Sequence, residues 1–364
     1  MVRKTVEFIG KYDYGIDPIE ISKKYGIPLS AIVNLKSNEN PFPPPESLIE
    51  SVVHALDSIP RYPDPNYTLL KEKISEYVKL PPDHIAVGNG ATEIIQSISN
   101  IFLEPFDKVV IPVPTYTLYF FYSMLRDASI ETIKMKEEEN FIPKSEEITD
   151  SCKGAKLLFL CSPNNPTGSV IEEKELCNII ESIDTPVIVD EAYSEFYGRS
   201  IVSKVKKYDN LIVVRSFSKF FGLAGLRVGY AITNPTLASL IEKVRQPFSI
   251  SRIAEIAAAK ALEEIEYFNK LKNRIISERE RLMNILKNIN GVRPFPSEAN
   301  FILIKLLKIH ASELVEELCK RGILVRNVTG LLGLDGEYIR VSIGKKSEND
   351  KFVLALTKVL QSRR

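Results

Sequence analysis

The sequence predicts an α/β protein: an open, mostly parallel sheet with helices on both faces, joined to a smaller α+β unit. Three observations carry this. Short apolar runs alternate with helical patterns through the middle of the chain, as strand–helix–strand crossovers require. Two of those runs, Leu157-Leu-Phe-Leu-Cys161 and Pro186-Val-Ile-Val-Asp-Glu191, show no polar alternation, which marks strands covered on both faces. After Pro247 the texture changes to one long helical stretch and then a strand–helix–strand–strand–helix series. We therefore expect three parts: an N-terminal segment, 1–33, packing with the smaller unit; a large unit, 34–247; and a small C-terminal unit, 248–364.

In chain order, residues 18–25 read as a short helix stopped at Gly26. Prolines at 41, 43, 44 and 45 forbid a regular ladder and stiffen an extended loop that displays Asn38, Glu39 and Asn40. Such a loop either lines a site or serves as a surface linker. Residues 47–58 read as helix, Arg61-Tyr-Pro-Asp-Pro65 as extended chain, and 68–78 as an amphipathic helix with Leu69, Leu70, Ile74 and Val78 at helical spacing. A strand at 85–87 enters Gly88-Asn-Gly-Ala-Thr-Glu93, and an apolar helix follows to 103. Strands are expected at 108–111, 157–161, 186–191, 211–214 and 227–232, and helices at 116–126 and 172–182. Beyond 247 the pattern gives a nearly continuous helix over 251–289, strands at 301–305, 323–326 and 338–342, and helices at 312–320 and 347–361.

The composition narrows the function. The 364 residues carry a net charge of +1 with acids and bases mixed throughout, so no basic stripe invites nucleic acid. No apolar run approaches the roughly 20 residues that span a bilayer. The first residues, Met-Val-Arg-Lys-Thr-Val-Glu-Phe, lack the apolar core of a signal peptide. Cys152, Cys161, Cys177 and Cys319 have neither metal-finger spacing nor the density of a disulfide framework, and read as reduced thiols of a cytoplasmic protein. His54, His84 and His310 are scattered outside any metal or triad motif, so no metal is expected.

The chemistry gathers at the expected carboxyl ends of the strands, where open α/β sheets bind ligands. Gly88-Asn-Gly-Ala-Thr-Glu93 is a strand–turn–helix that aims backbone N–H groups at a phosphate. Glu93 stands where a dinucleotide fingerprint needs its third glycine, so a single phosphate on the amides of Ala91 and Thr92 fits better than a nicotinamide cofactor. Asp190, an acid ending a buried strand, needs a positive partner or a structural role as a cap or ion pair. Lys219 follows Ser216 and Ser218 and precedes Arg227. Either it is a surface lysine in a serine-rich turn, or it is a buried amine beside a phosphate cradle of Ser216, Ser218 and Arg227. The second possibility suggests pyridoxal 5′-phosphate (PLP), with Asp190 keeping the ring nitrogen protonated.

Three motifs in this order resemble the fold type I PLP-dependent aminotransferases: Ser162-Pro-Asn-Asn-Pro-Thr-Gly168, Asp190-Glu-Ala-Tyr193, and Ser216-Phe-Ser-Lys219 with Gly225-Leu-Arg227. Within that family the likeness is strongest to the histidinol-phosphate aminotransferases, through Ser37-Asn-Glu-Asn-Pro41, Arg61-Tyr-Pro-Asp64, Pro114-Thr-Tyr116, Pro296-Ser-Glu-Ala-Asn-Phe301, Gly322-Ile-Leu-Val-Arg326 and Tyr338-Ile-Arg-Val-Ser-Ile-Gly344. The resemblance implies an imine on Lys219, Asp190 at the ring nitrogen, Tyr193 and Asn165 at the ring oxygen, and Tyr116 stacked on the ring. It implies a phosphate held by Ala91, Thr92, Ser216, Ser218 and Arg227, with Tyr62 reaching into the neighbouring subunit of a homodimer. Arg340, with Arg326 and Asn40, would hold the anionic end of a phosphorylated amino substrate, exchanged against 2-oxoglutarate and glutamate. Thr92 departs from the family, which more often has an acid there. The stretch from Val325 to Arg340 also resembles the threonine-phosphate decarboxylases of the same fold, and the aromatic residues from Tyr116 to Tyr122 would suit an aromatic amino acid. A PLP-binding regulator is disfavoured, because no room is left for a DNA-binding module.

Overall fold

The uninterrupted apolar runs form the middle of a seven-stranded sheet in the computed structural model, which describes residues 2–362. A two-residue strand, β1 (Val33–Asn34), precedes it. The sheet comprises β2 (Ile85–Asn89), β3 (Lys108–Val113), β4 (Ser129–Lys134), β5 (Leu157–Cys161), β6 (Val187–Asp190), β7 (Leu211–Ser216) and β8 (Val228–Ile232). Their spatial order is β2-β8-β7-β6-β5-β3-β4. Neighbours are parallel except at β8, which runs antiparallel to both β2 and β7. No crossover helix separates β7 from β8, so the chain returns directly beside β7 through the loop 217–227. Every residue of β5, β6, β7 and β8 is buried. Alternate side chains serve opposite faces: Val187, Val189, Leu211 and Val213 join one apolar cluster, and Ile188, Ile212 and Val214 the other. Each cluster is closed by helices, which gives the expected three layers.

Elsewhere the sequence pattern and the fold part company. The edge strand β4 pairs only with β3, and one face is half exposed, so its polar Ser-Ile-Glu-Thr-Ile-Lys sequence carried no strand signal. The helix expected over 251–289 is two helices, Arg252–Glu263 and Ile265–Lys287, divided at Glu264, whose φ of −98° and ψ of 27° leave the helical region. The first is capped by Ser251, which accepts from the Ala254 N–H.

The last third of the chain contributes β9 (Val292–Pro294), β10 (Phe301–Leu306), β11 (Ile323–Leu324), β12 (Arg326–Asn327) and β13 (Glu337–Ser342). Four of them form an antiparallel sheet in the order β12-β13-β10-β9. The single strand expected at 323–326 is therefore split: β11 pairs in parallel with β1, and β12 pairs with β13. The β1–β11 pair is a separate two-stranded sheet, and just beyond it the Leu35 carbonyl accepts from the Ser342 N–H on β13 at 2.9 Å, so the N-terminal segment is fastened beside the smaller sheet. The first residues go the other way: a short helix, Lys4–Phe8, lies against the large sheet's helix end, where Arg3 donates to the Leu125 carbonyl at 2.8 Å and, with Thr5, engages the Asp127 carboxylate. Among the described residues no helix is long and apolar enough to cross a membrane, and no cluster of His, Cys, Asp and Glu is arranged to hold a metal.

Parallel pairing brings the chemical turns level. Cys161 lies opposite Asp190, and Asp190 opposite Val214. The Asn-Pro turn, the Asp190 carboxyl and the loop carrying Lys219 thus leave the sheet at one edge, facing the smaller sheet.

Candidate active site

A cavity of about 250 Å3 opens at that edge. Its walls include Ala91, Thr92, Tyr116, Asn165, Asp190, Tyr193, Ser216, Ser218, Lys219, Arg227, Arg326 and Arg340. Two other expected contacts lie outside it. Asn40 spends its amide on backbone: Nδ2 donates to the Phe220 carbonyl at 3.0 Å, and Oδ1 accepts from the Phe42 N–H at 3.1 Å. It ties the proline-rich loop to the Lys219 turn and does not line the cavity. Tyr62 is 77% exposed and stacks on Phe248 with ring centres 4.6 Å apart, away from this chain's cavity.

The floor is Asp190. Its Oδ2 accepts from the Tyr119 hydroxyl at 2.6 Å, and its Oδ1 from the Ala192 N–H at 3.0 Å. Burial raises its pKa, and these two hydrogen bonds pull the other way by favouring the anion. Tyr119 is fully buried and stacked on Phe159 at 4.8 Å, so the phenol has little freedom. Lys219 Nζ donates to the Ser37 carbonyl at 2.9 Å. Burial first, and then the nearby Arg340, push its pKa down to about 8.

One end of the cavity is built for an anion. The helix Gly90–Phe102 begins there, with Ala91 and Thr92 in its first turn. Gly90 has φ +74°, and a Cβ at that position would lie 2.5 Å from Arg227 Nη2, so only glycine lets the guanidinium rest against the helix start. Arg227 reaches Ser218 Oγ at 3.4 Å, and Ser216 Oγ accepts from the Ser218 N–H at 3.1 Å. The opposite wall comes from the smaller sheet. Arg340 on β13 donates to Asn165 Oδ1 and to the Lys36 carbonyl at 2.8 Å, and its guanidinium lies 5.3 Å from the centre of the Phe301 ring. Its Nε has no partner. Arg326 on β12 is held by Asp13, through the carboxylate at 3.1 Å and the backbone carbonyl. Among the described residues, neither Arg227 nor Arg340 has a carboxylate partner.

Two residues that shape the site went unread in the sequence. Tyr119 stands three residues after Tyr116, and that spacing alone could have placed both near one ligand; Tyr12 at the cavity mouth gave no local signal. Asn38, expected on a displayed loop, is instead buried and donates to Tyr193 Oη at 3.0 Å.

Residues 30–356 match the model of the family described as aminotransferase class I and II. The chain belongs to the class I and II aminotransferases. Its relatives extend the match over the full length. The chain is 44% identical over 358 residues to histidinol-phosphate aminotransferase 2 of Archaeoglobus fulgidus, covering 98% of this chain and 100% of that protein. Among solved structures it resembles the histidinol-phosphate aminotransferase of Clostridium acetobutylicum, at 32% identity and a TM-score of 0.85, over 91% of this chain and 100% of the other. The histidinol-phosphate aminotransferase of Sinorhizobium meliloti, solved in complex with PLP, superposes with a TM-score of 0.88 at 25% identity, over 99% and 98% of the two chains. In this aminotransferase the cavity carries its charges in a fixed sequence. Cationic and amide donors stand at the helix end, an amine and a buried carboxylate at the sheet edge, and two arginines on the smaller sheet.

Proposed function

We propose that this aminotransferase exchanges the amino group of L-histidinol phosphate with 2-oxoglutarate, using PLP bound at Lys219. The observation that carries the reading is the donor set. A guanidinium without a carboxylate, two hydroxyls and a helix start ask for a phosphate. A buried carboxylate asks for a cationic ring nitrogen. An amine with a lowered pKa asks for an aldehyde. These three demands, set around one cavity, fit PLP.

When bound, the cofactor supplies an aldehyde for amines and an electron-poor ring that accepts the electron pair released at the substrate's Cα. The chain's own groups do the rest. Asp190, whose anion is favoured by the hydrogen bonds from Tyr119 and Ala192 against the cost of burial, would provide the counter-charge at the ring nitrogen. Lys219, partly neutral near pH 8, would hold the cofactor through its amine and, whenever that amine is unbound, could carry a proton to and from the substrate. Tyr193 and Asn165 would serve the ring oxygen, and Tyr116 a ring face. Ala91, Thr92, Ser216, Ser218 and Arg227 would hold the phosphate. Arg340 takes the anionic end of each substrate, a phosphate in one half reaction and a carboxylate in the other, since a guanidinium bonds either oxyanion in bidentate fashion. Arg326 assists once Asp13 is displaced.

The exposed Tyr62–Phe248 stack supports a homodimer in which Tyr62 reaches the neighbouring phosphate. The β1–β11 pair supports counting residues 1–33 with the smaller unit, apart from the short helix at Lys4–Phe8, and dividing the chain near 247. The test is direct. Incubation with L-histidinol phosphate and 2-oxoglutarate should yield glutamate, and glutamate alone should convert the visible chromophore to its amine form. Release of carbon dioxide from L-threonine phosphate without glutamate formation would overturn the reading.

A further inference from the structure

Asn38 is hydrogen-bonded through both its backbone and its side chain at the cavity wall. It is 1% exposed and holds φ at +54°, a left-handed conformation that asparagine tolerates better than other non-glycine residues. Its backbone is fixed at both ends: the N–H donates to Ser342 Oγ at 2.7 Å, and the carbonyl accepts from Asn300 Nδ2 at 3.0 Å. Both partners belong to the smaller sheet or its approach, whereas Tyr193 leaves the large sheet.

Ser342 Oγ accepts from the Asn38 N–H and donates to Asn38 Oδ1, 3.2 Å away. Oδ1 is the accepting end of the amide, and Nδ2 donates to Tyr193 Oη at 3.0 Å. The phenol oxygen receives that hydrogen bond and makes no other among the described residues, so its single O–H is left to donate.

We propose that Asn38 is a positioning residue: its side-chain amide, locked by Ser342, obliges Tyr193 to donate its phenol proton into the cavity. The inference rests on the reading that the cavity holds PLP with a ring oxygen anion at Tyr193. A proton donated to that oxygen offsets its charge, so the adjacent nitrogen, where the cofactor is joined to Lys219, holds its own proton less tightly. Asn38 thereby sets the pH at which the visible band changes form. Because Asn38 is pinned from the smaller sheet, the setting depends on how that sheet sits against Tyr193.

The test uses protein freed of cofactor and reconstituted with PLP, titrated from pH 5 to pH 10 by its visible spectrum, together with the dissociation constant of PLP. Asn38→Gly removes the amide and suits the positive φ. In Asn38→Gly we expect the spectral midpoint to rise by about one pH unit and PLP to bind about tenfold more weakly, the scale of one directed hydrogen bond. In a Tyr193→Phe background the same substitution should shift the midpoint no further, because Asn38 acts through the phenol. An unchanged midpoint in Asn38→Gly, or an equal further shift beside Tyr193→Phe, overturns the proposal. If Asn38→Gly does not fold, Ser342→Ala keeps Asn38 and frees its amide. A smaller rise is then expected, and no rise overturns the proposal. Wild-type protein that forms no visible band with PLP would instead refute the cofactor reading.

Discussion

Replacing Arg340 with glutamine tests how the cavity makes Lys219 reactive. The lysine must be neutral to attack an aldehyde. With a pKa of about 8, roughly a quarter of Lys219 is neutral at pH 7.5, against about one in a thousand for a lysine at its ordinary 10.5. The site thus gains a factor of about 200 in reactive amine at that pH. Burial is the larger cause, and it remains when Arg340 is changed. The second cause, repulsion from the guanidinium, is removed. The pKa must therefore rise towards its ordinary value, and each unit of rise lowers the neutral fraction near pH 7 about tenfold. The assay is the rate at which visible absorbance grows when PLP is added to cofactor-free protein between pH 6 and 10. The wild-type rate should climb with a midpoint near 8, and the Arg340→Gln curve should lie to higher pH. A wild-type midpoint at 10 or above, or two superimposable curves, would refute the electrostatic account.

Two other substitutions probe the supports behind the cavity. Glu191→Gln should lower stability by about 3 kcal/mol, because it leaves the buried Arg215 guanidinium, now paired at 2.9 Å, with the Ser200 hydroxyl at 2.6 Å and one carboxylate, Glu195, at 4.0 Å; a urea midpoint that does not move would contradict this. Tyr119→Phe removes a hydrogen bond that favours ionised Asp190, so the carboxyl will bind its proton more tightly and PLP retention on acidification should fail at a higher pH than in the wild type; identical acid limbs would count against the assigned partner.

How legible the molecule was depended on how local its signals are. Leu157–Cys161 announces a buried strand because both of its faces are covered, and the sequence shows it without any partner in view. Ser129–Lys134 becomes a strand only because β3 offers it an edge. The chemical residues behaved in the same way. Lys219, Asp190 and Arg227 stand in short motifs whose spacing carries their meaning. Asn38 takes its meaning from Ser342 and Asn300, hundreds of residues away, and Tyr119 from an acid on another strand. Asn40 likewise shows its tie only in the fold, where its amide bonds the Phe220 carbonyl 180 residues away.

The close approach of β8 to the start of the Gly90–Phe102 helix bears on which changes this site can survive. A Cβ on Gly229 would sit 2.2 Å from the Ala91 nitrogen, and one on Gly90 would strike Arg227. The start of the helix thus offers an anion the bare peptide at Ala91 and Thr92, beside the side chains of Ser216, Ser218 and Arg227. An acid in place of Thr92 would leave its amide unchanged. A mutational scan of the helix start should therefore be lenient at position 92 and strict at Gly90 and Gly229, which touch only protein.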